Sequence, residues 1–261
     1  QHLSQDELFE VISWEGTVEK IFKANPENIL LEYTATIDLQ DNFLEEKYKP
    51  RLLFDYPLKE FRKDGYSKEV KVLQADLPPF DRSLLAILLS QYRRKIFEKN
   101  RLSIKPVILF KSKTIAESKS FFEEFNNRLN ALTPNDISLL RSSTLDPIFI
   151  KLFNYLDLNN VSYENLISEI IEDFSIDNLL LVNSKEESDL KQLAVNSLED
   201  DDNHYRAVFA VDKLNEGWDV LNLFDIVRLY DTRDAKSNKA GKTTISEAQL
   251  IGRGARYSPF Q

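Results

Sequence analysis

The chain has 261 residues, 42% of them hydrophobic and 11% aromatic, enough for one large or two modest globular domains and too apolar for a disordered segment. Its formal charge of −9 argues against a general nucleic-acid binder, whose surface is ordinarily basic. With no cysteine, disulfides and thiolate metal sites are excluded, and the two histidines, His2 and His204, lie too far apart in sequence to suggest a metal site of their own. No apolar run approaches the ~18 residues of a membrane span, and residues 1–7 lack a basic and hydrophobic signal, so a cytoplasmic protein with no membrane partner is expected. The absence of methionine, initiator included, leads to the expectation that this is a piece of a longer protein.

Residues 3–24 read as a helix. Leu8, Val11, Ile12, Val18, Ile21 and Phe22 recur at spacings of three and four after Ser4-Gln5-Asp6-Glu7, which has capping-box spacing. Residues 29–36 then switch to a short apolar run, the pattern of a strand buried in a parallel sheet. It ends in two hydroxyls, Thr34 and Thr36, whose ordinary task is to cap the following turn. Over residues 38–79, two extended segments, 51–56 and 68–73, flank a turn at Asp64-Gly65, which predicts a linker with a hairpin-like pair of strands. A helix follows over 81–99, with Leu84, Leu85, Ile87, Leu88, Tyr92 and Ile96 inward. Arg93, Arg94 and Lys95 fall near its C-terminal end, where cations suit the helix dipole.

From residue 106 strands and helices alternate, the signature of a parallel, doubly wound sheet. Strands are predicted at 106–110, 175–183, 205–211 and 224–230, and helices at 115–129 and 185–198. Lys111, Ser112 and Lys113 form the loop after the first of these strands. Short helices beginning near Thr133-Pro134, Asp146-Pro147 and Ser162 make a helical insertion, and the acidic loop 199–203 is assigned to solvent. Arg206 receives no role and is expected to tolerate replacement.

The third strand delivers Asn215-Glu216-Gly217-Trp218-Asp219-Val220, in which Gly217 can bring the backbone close to a ligand because it has no side chain and tolerates positive φ. Asp219 can orient a hydroxyl or a water, or simply cap the loop. Four of the six glycines lie in the last 45 residues, which favours a ligand-facing edge there. Residues 228–261 hold seven Lys/Arg against three Asp/Glu, net +4, leaving −13 for residues 1–227. Gly241-Lys242-Thr243 resembles the end of a phosphate-binding P-loop, but that spacing requires glycine at 236, where Lys236 stands, and the loop cannot close. Finally, Gln249, Arg253 and Arg256 fall at offsets of four and three, on one face of a helix whose other side is Leu250, Ile251 and Ala255. Two permanently charged, planar guanidiniums side by side suit a phosphate.

Gln249-x-x-Gly252-Arg253-x-x-Arg256 resembles motif six of superfamily-two helicases and translocases. Thr34-Ala35-Thr36, the strand ending in Phe110 with Lys111-Ser112-Lys113, and Asn215–Val220 resemble motifs three, four and five, in the right order. The fuller strings Ser13-Trp14-Glu15-Gly16-Thr17-Val18-Glu19-Lys20, Leu31-Glu32-Tyr33-Thr34-Ala35-Thr36-Ile37-Asp38, Asp64-Gly65-Tyr66-Ser67-Lys68-Glu69 and Ser90-Gln91-Tyr92-Arg93-Arg94-Lys95-Ile96 look like the restriction (Res) subunit of type III restriction-modification enzymes, over nearly the whole chain. That resemblance implies an ATP-dependent DNA translocase that works with a methyltransferase (Mod) subunit on double-stranded DNA and cleaves it through a nuclease domain further along. It implies arginine-finger roles for Arg253 and Arg256, with Gln249 beside them, nucleotide contacts for Glu216, Gly217 and Asp219, and DNA-backbone contacts for Lys111, Ser112, Lys113, Thr34 and Thr36. ATP and Mg2+ would be held mainly by a first lobe, because the Gly-Lys-Thr loop and the Asp-Glu-x-His motif of that lobe are absent.

The expected fold is therefore α/β, a RecA-like (P-loop NTPase-type) parallel sheet flanked by helices, with a helical insertion and an extended linker. Residues 1–38 would be the tail of the first lobe, 39–100 the linker and 101–261 the second lobe. The alternatives are a non-catalytic interaction module that retains a helicase-like fold, or an unrelated α/β domain.

Overall fold

The computed structural model describes residues 14, 16–34, 42–73, 76–182, 189–211, 220–230, 250–252 and 254–255. The chain divides into two compact units, Gln1–Asp55 and Tyr56–Gln261.

In the first unit Trp14 and residues 16–23 are helical, and α1 (Asn42–Tyr48) runs into a 3-10 turn at Lys49–Arg51. The strand expected at 29–36 is not formed: residues 28–34 have no regular structure, and Ile29 and Tyr33 are 83% and 89% exposed. A parallel strand needs neighbouring strands for its backbone hydrogen bonds and helices over both faces, and the described residues of this unit contain no other strand. The same lack of cover leaves Ile21 exposed on the helix before it. Thr34 sits in this exposed stretch, while Thr36 and the first turns of the predicted helix lie outside the described residues.

The expected hairpin is also replaced. Residues 52–57 and 68–73 form no strands, and between them lies α2 (Leu58–Lys63). Asp64 and Gly65, with φ +84° at the glycine, end this helix instead of joining two strands. Rings of Tyr56, Phe61 and Tyr66 hold the segment together, with centroids 5.8 and 5.6 Å apart.

The sheet of the second unit contains β1 (Val107–Lys111), β2 (Leu179–Val182), β3 (Ala207–Ala210) and β4 (Leu223–Arg228), in the order β2-β3-β1-β4 with every pairing parallel. All four strands are where the apolar runs predicted them. Alternation along β1 sends Ile108 and Phe110 to one face and Val107 and Leu109 to the other. The first face is covered by α3 (Pro79–Lys99), α4 (Ile115–Asn130) and the insertion helices α5 (Pro134–Ser143), α6 (Pro147–Leu158) and α7 (Tyr163–Asp173). The second is covered by α8 (Asp189–Asn196) and the C-terminal helical residues, through Val195 and Leu250.

Local chemistry explains where these helices begin. Thr114 and Thr133 each form a reciprocal capping box, with Glu117 and Asp136, while Asp146 and Ser162 accept from the backbone amides of Ile148 and Asn165. The core they close is aromatic, with Phe110 and Phe125 ring centroids 4.8 and 5.2 Å from that of Phe209. α3 packs on β1, β4 and α6, and its first three turns are buried almost all round. Its cations do more than meet a dipole. Arg93 pairs with Asp225 of β4, Arg94 with Asp173 at the end of α7, and Lys95 with Glu169 of α7 at 2.5 Å. Among the described residues no helix is long and apolar enough to cross a membrane.

Candidate functional site

In an open parallel sheet, ligands gather outside the carboxyl ends of the strands. Here β1, β3 and β4 end side by side at Lys111, Ala210 and Arg228. The Ser112 amide donates to the Ala210 carbonyl at 3.0 Å and the Leu229 amide to the Lys111 carbonyl at 2.9 Å, so the loop after β1 is bracketed by both neighbours. Lys111 and Ser112 are each only 2% exposed. Of the three residues of this loop expected at a nucleic-acid backbone, Lys113 alone offers its side chain to solvent.

A cleft of about 580 Å³ opens here, lined by Ser112, Lys113, Glu117, Ser120, Glu124 and Tyr230 among others. Two carboxylates in its wall do not suit a polyphosphate. The α4 N-terminus, the natural anion site of such an edge, is already closed by its capping box: Glu117 accepts from the Thr114 amide at 3.0 Å and Thr114 accepts from the Glu117 amide at 3.2 Å. Among the described residues no group of three His, Cys, Asp or Glu could hold a metal ion. The described residues therefore make no complete nucleotide cradle.

The opposite face of the same sheet carries the C-terminal helix. Residues 250–252 and 254 are helical, Leu250 and Ala255 are 2% and 3% exposed, and Ile251 is half-buried, so the predicted apolar side does dock on the sheet. Lys111, two residues beyond Leu109, belongs to this face by strand alternation. Gly254 allows the contact to be close, since a Cβ there would stand 3.0 Å from Leu223 Cδ2. Gln249, Arg253 and Arg256, the segment with Glu216, Gly217 and Asp219, and the loop 240–244 lie outside the described residues.

Two features were not foreseen from the sequence. At the amino ends of the strands Arg206, 4% exposed, donates through Nη1 to Asp173 at 2.5 Å, through Nε to the Pro106 carbonyl at 3.2 Å and through Nη2 to Ser90 Oγ at 3.1 Å. Asp173 also accepts from Gln91 at 2.7 Å and from Arg94. Burial pushes the Asp173 carboxyl up, but Arg206, Arg94 and Gln91 together hold it below the ordinary range. Burial lowers Arg206 against the pull of Asp173. Arg206 is thus a buried structural charge, which corrects the expectation that it could be replaced freely. Beside it, Lys105 is lowered to about 8 by burial and by Arg206, and it donates to the Asn203 carbonyl. That contact turns Asn203 inward, while Asp200, Asp201 and Asp202 face solvent as expected. The second feature is Lys68, whose ammonium is taken up by backbone carbonyls at the start of β4 and at the C-terminal helix. No periodicity marks either cluster.

In an alignment of 263 positions that covers 88% of this chain, the sequence is 34% identical to the probable type III restriction-modification enzyme HindVIP Res subunit of Haemophilus influenzae. The chain is thus similar to a type III Res subunit along most of its length. It spans about half the length of that relative, 50% of it being covered. A family model described as HI_1054_N, N-terminal region, matches residues 243–261, the segment that contains the two arginines. No solved structure matches the chain. The all-parallel, helix-flanked sheet is consistent with that similarity.

Proposed function

We infer that this chain supplies the second RecA-like lobe of an ATP-dependent restriction subunit that translocates along double-stranded DNA in the cytoplasm, in partnership with a methyltransferase (Mod) subunit. The observation that carries the reading is the similarity to a Res subunit along 88% of the chain, joined to the spacing of Gln249, Arg253 and Arg256 beside a docked apolar face of Leu250 and Ala255. Residues 1–38 then belong to the end of the first lobe and 39–100 to the linker.

In this reading bound ATP with Mg2+ supplies the phosphoryl group to be transferred and is held mainly by the first lobe. That fits the capped α4 N-terminus. Arg253 and Arg256 direct two guanidinium forks at negative charge that grows during hydrolysis, with Gln249 aligning them, while Gly217, Asp219 and Glu216 border the nucleotide. Lys113 meets the DNA backbone as a point charge, on a loop fixed by the buried Lys111 and Ser112, while Thr34 and Thr36 are separate candidate contacts contributed by the first unit.

An arginine finger acts mainly on the transition state and is typically worth ~10³–10⁵ in turnover. In the full-length protein Arg253→Ala and Arg256→Ala are therefore expected to collapse DNA-stimulated ATP hydrolysis while nucleotide affinity falls far less. Wild-type rates in both variants, with the fold intact, would remove the arginines from the mechanism. The 261-residue chain alone should show no ATP turnover with or without DNA.

A further inference from the structure

Between α2 and α3 the chain passes along the C-terminal helical residues, and its contacts there exceed what a connector needs. The Lys68 amide donates to the Ala255 carbonyl at 2.7 Å. The Lys68 ammonium donates to the carbonyls of Leu223 and Gly254, both at 3.0 Å, and to that of Leu221, and it lies 4.2 Å from the centroid of the Phe224 ring. An ammonium has three donors, and here all three are engaged. One holds the last turn of the C-terminal helix, whose carbonyls form the negative end of its dipole, and two hold the chain as it enters β4. A lysine in a plain connector would keep its head in water. This one gives up much of that hydration to join two elements that are otherwise linked through the Gly254 contact with Leu223.

We propose that Lys68 is a positioning residue, tying Gly254 and Ala255, which stand between Arg253 and Arg256 in sequence, to the entry of β4 and so setting how the two arginines are presented. The inference rests on the arginine reading above, and it adds a residue far from the motif to the machinery that reading describes. Lys68 does not touch the nucleotide; it acts through the helix.

The test uses the full-length protein and the variant Lys68→Met, which keeps an apolar stem over Phe224 and removes the three donated hydrogen bonds. In hydrogen exchange, amides of residues 251–255 should exchange about tenfold or more faster, while those of β1 and β3 keep their protection. Unchanged protection at 251–255 overturns the tie whatever the hydrolysis rate, and loss of protection in β1 and β3 as well overturns it in favour of a general structural role. In DNA-stimulated ATP hydrolysis, kcat should fall about tenfold to a hundredfold with little change in KM, since misplacement of about 1 Å costs that much. Added to the Arg253→Ala, Arg256→Ala pair, Lys68→Met should lower kcat no further, because its loss passes through those two groups. A further fall in the triple variant overturns the positioning role. Arg253→Ala hydrolysing at the wild-type rate would instead overturn the arginine reading, and the exchange result alone would then report the tie. Should Lys68→Met fail to fold, Lys68→Gln, which retains a shorter donor, serves for the same measurements.

Discussion

Asp173→Ala removes the only carboxylate that Arg206 pairs with among the described residues and leaves its guanidinium 4% exposed beside a second cation, Arg94. The Pro106 carbonyl and Ser90 hydroxyl still accept from Arg206, so the hydrogen bonds are partly kept and the charge is not balanced. Breaking a buried pair from one side costs about 3–5 kcal/mol, against a total stability for a domain of about 5–15 kcal/mol. With a urea dependence of about 2 kcal/mol per molar, the midpoint of the second unit's transition should drop by about 1.5–2.5 M. Urea unfolding followed by tryptophan-independent probes such as far-ultraviolet circular dichroism measures this on the chain itself. The double variant Asp173→Leu with Arg206→Met should recover most of the loss, since an apolar pair of similar volume demands no charge compensation. The pH dependence has a definite sign. The Asp173 carboxyl titrates below its ordinary value, so its contribution is complete above the unfolded carboxylate pKa and disappears as pH falls through the folded one; the gap between wild type and Asp173→Ala should close in acid. A midpoint shift worth less than about 1 kcal/mol at neutral pH would mean that Arg206 finds another partner and that the network is not what holds α3, α7 and β3 together.

Phe209→Ala empties the centre of the ring cluster formed with Phe110, Phe121, Phe122 and Phe125 and should cost about 3–5 kcal/mol in the same assay. Thr114→Ala removes one half of the α4 capping box, an expected loss of about 1 kcal/mol, or a melting shift of roughly 2–4 °C in differential scanning fluorimetry. Lys68 is lowered to about 8, chiefly by burial and then by Arg93, with Glu199 and Asp225 opposing. The unfolded chain therefore binds the proton more tightly, and stability should rise as pH increases from about 8 towards the ordinary lysine value; Lys68→Met should flatten that rise, and an unchanged slope would contradict it.

How much of this was legible in the residues follows from the reach of each interaction. Strand β1 declares itself in Val107-Ile108-Leu109-Phe110, and the starts of α5, α6 and α7 in Thr133-Pro134, Asp146-Pro147 and Ser162, because apolar period and helix caps act within four residues of chain. The apolar side expected within residues 249–256 is local in the same way, and Leu250 and Ala255 dock where that spacing predicts. Residues 28–34 misled for the complementary reason: an apolar run states that burial is wanted, and only neighbouring strands decide whether it is obtained. Residues 51–73 misled because Asp64-Gly65 ends a helix as readily as it turns a hairpin. The ion network and the lysine tie could not be read at all. Arg93 meets Asp225 across 132 residues, Arg206 meets Asp173 across 33 and Lys68 meets Leu221 across 153. Charge alone does not say which acid a cation will meet. That was decided when packing around the parallel sheet brought α3, α7 and the entry to β4 together and removed the water that would otherwise have solvated each charge.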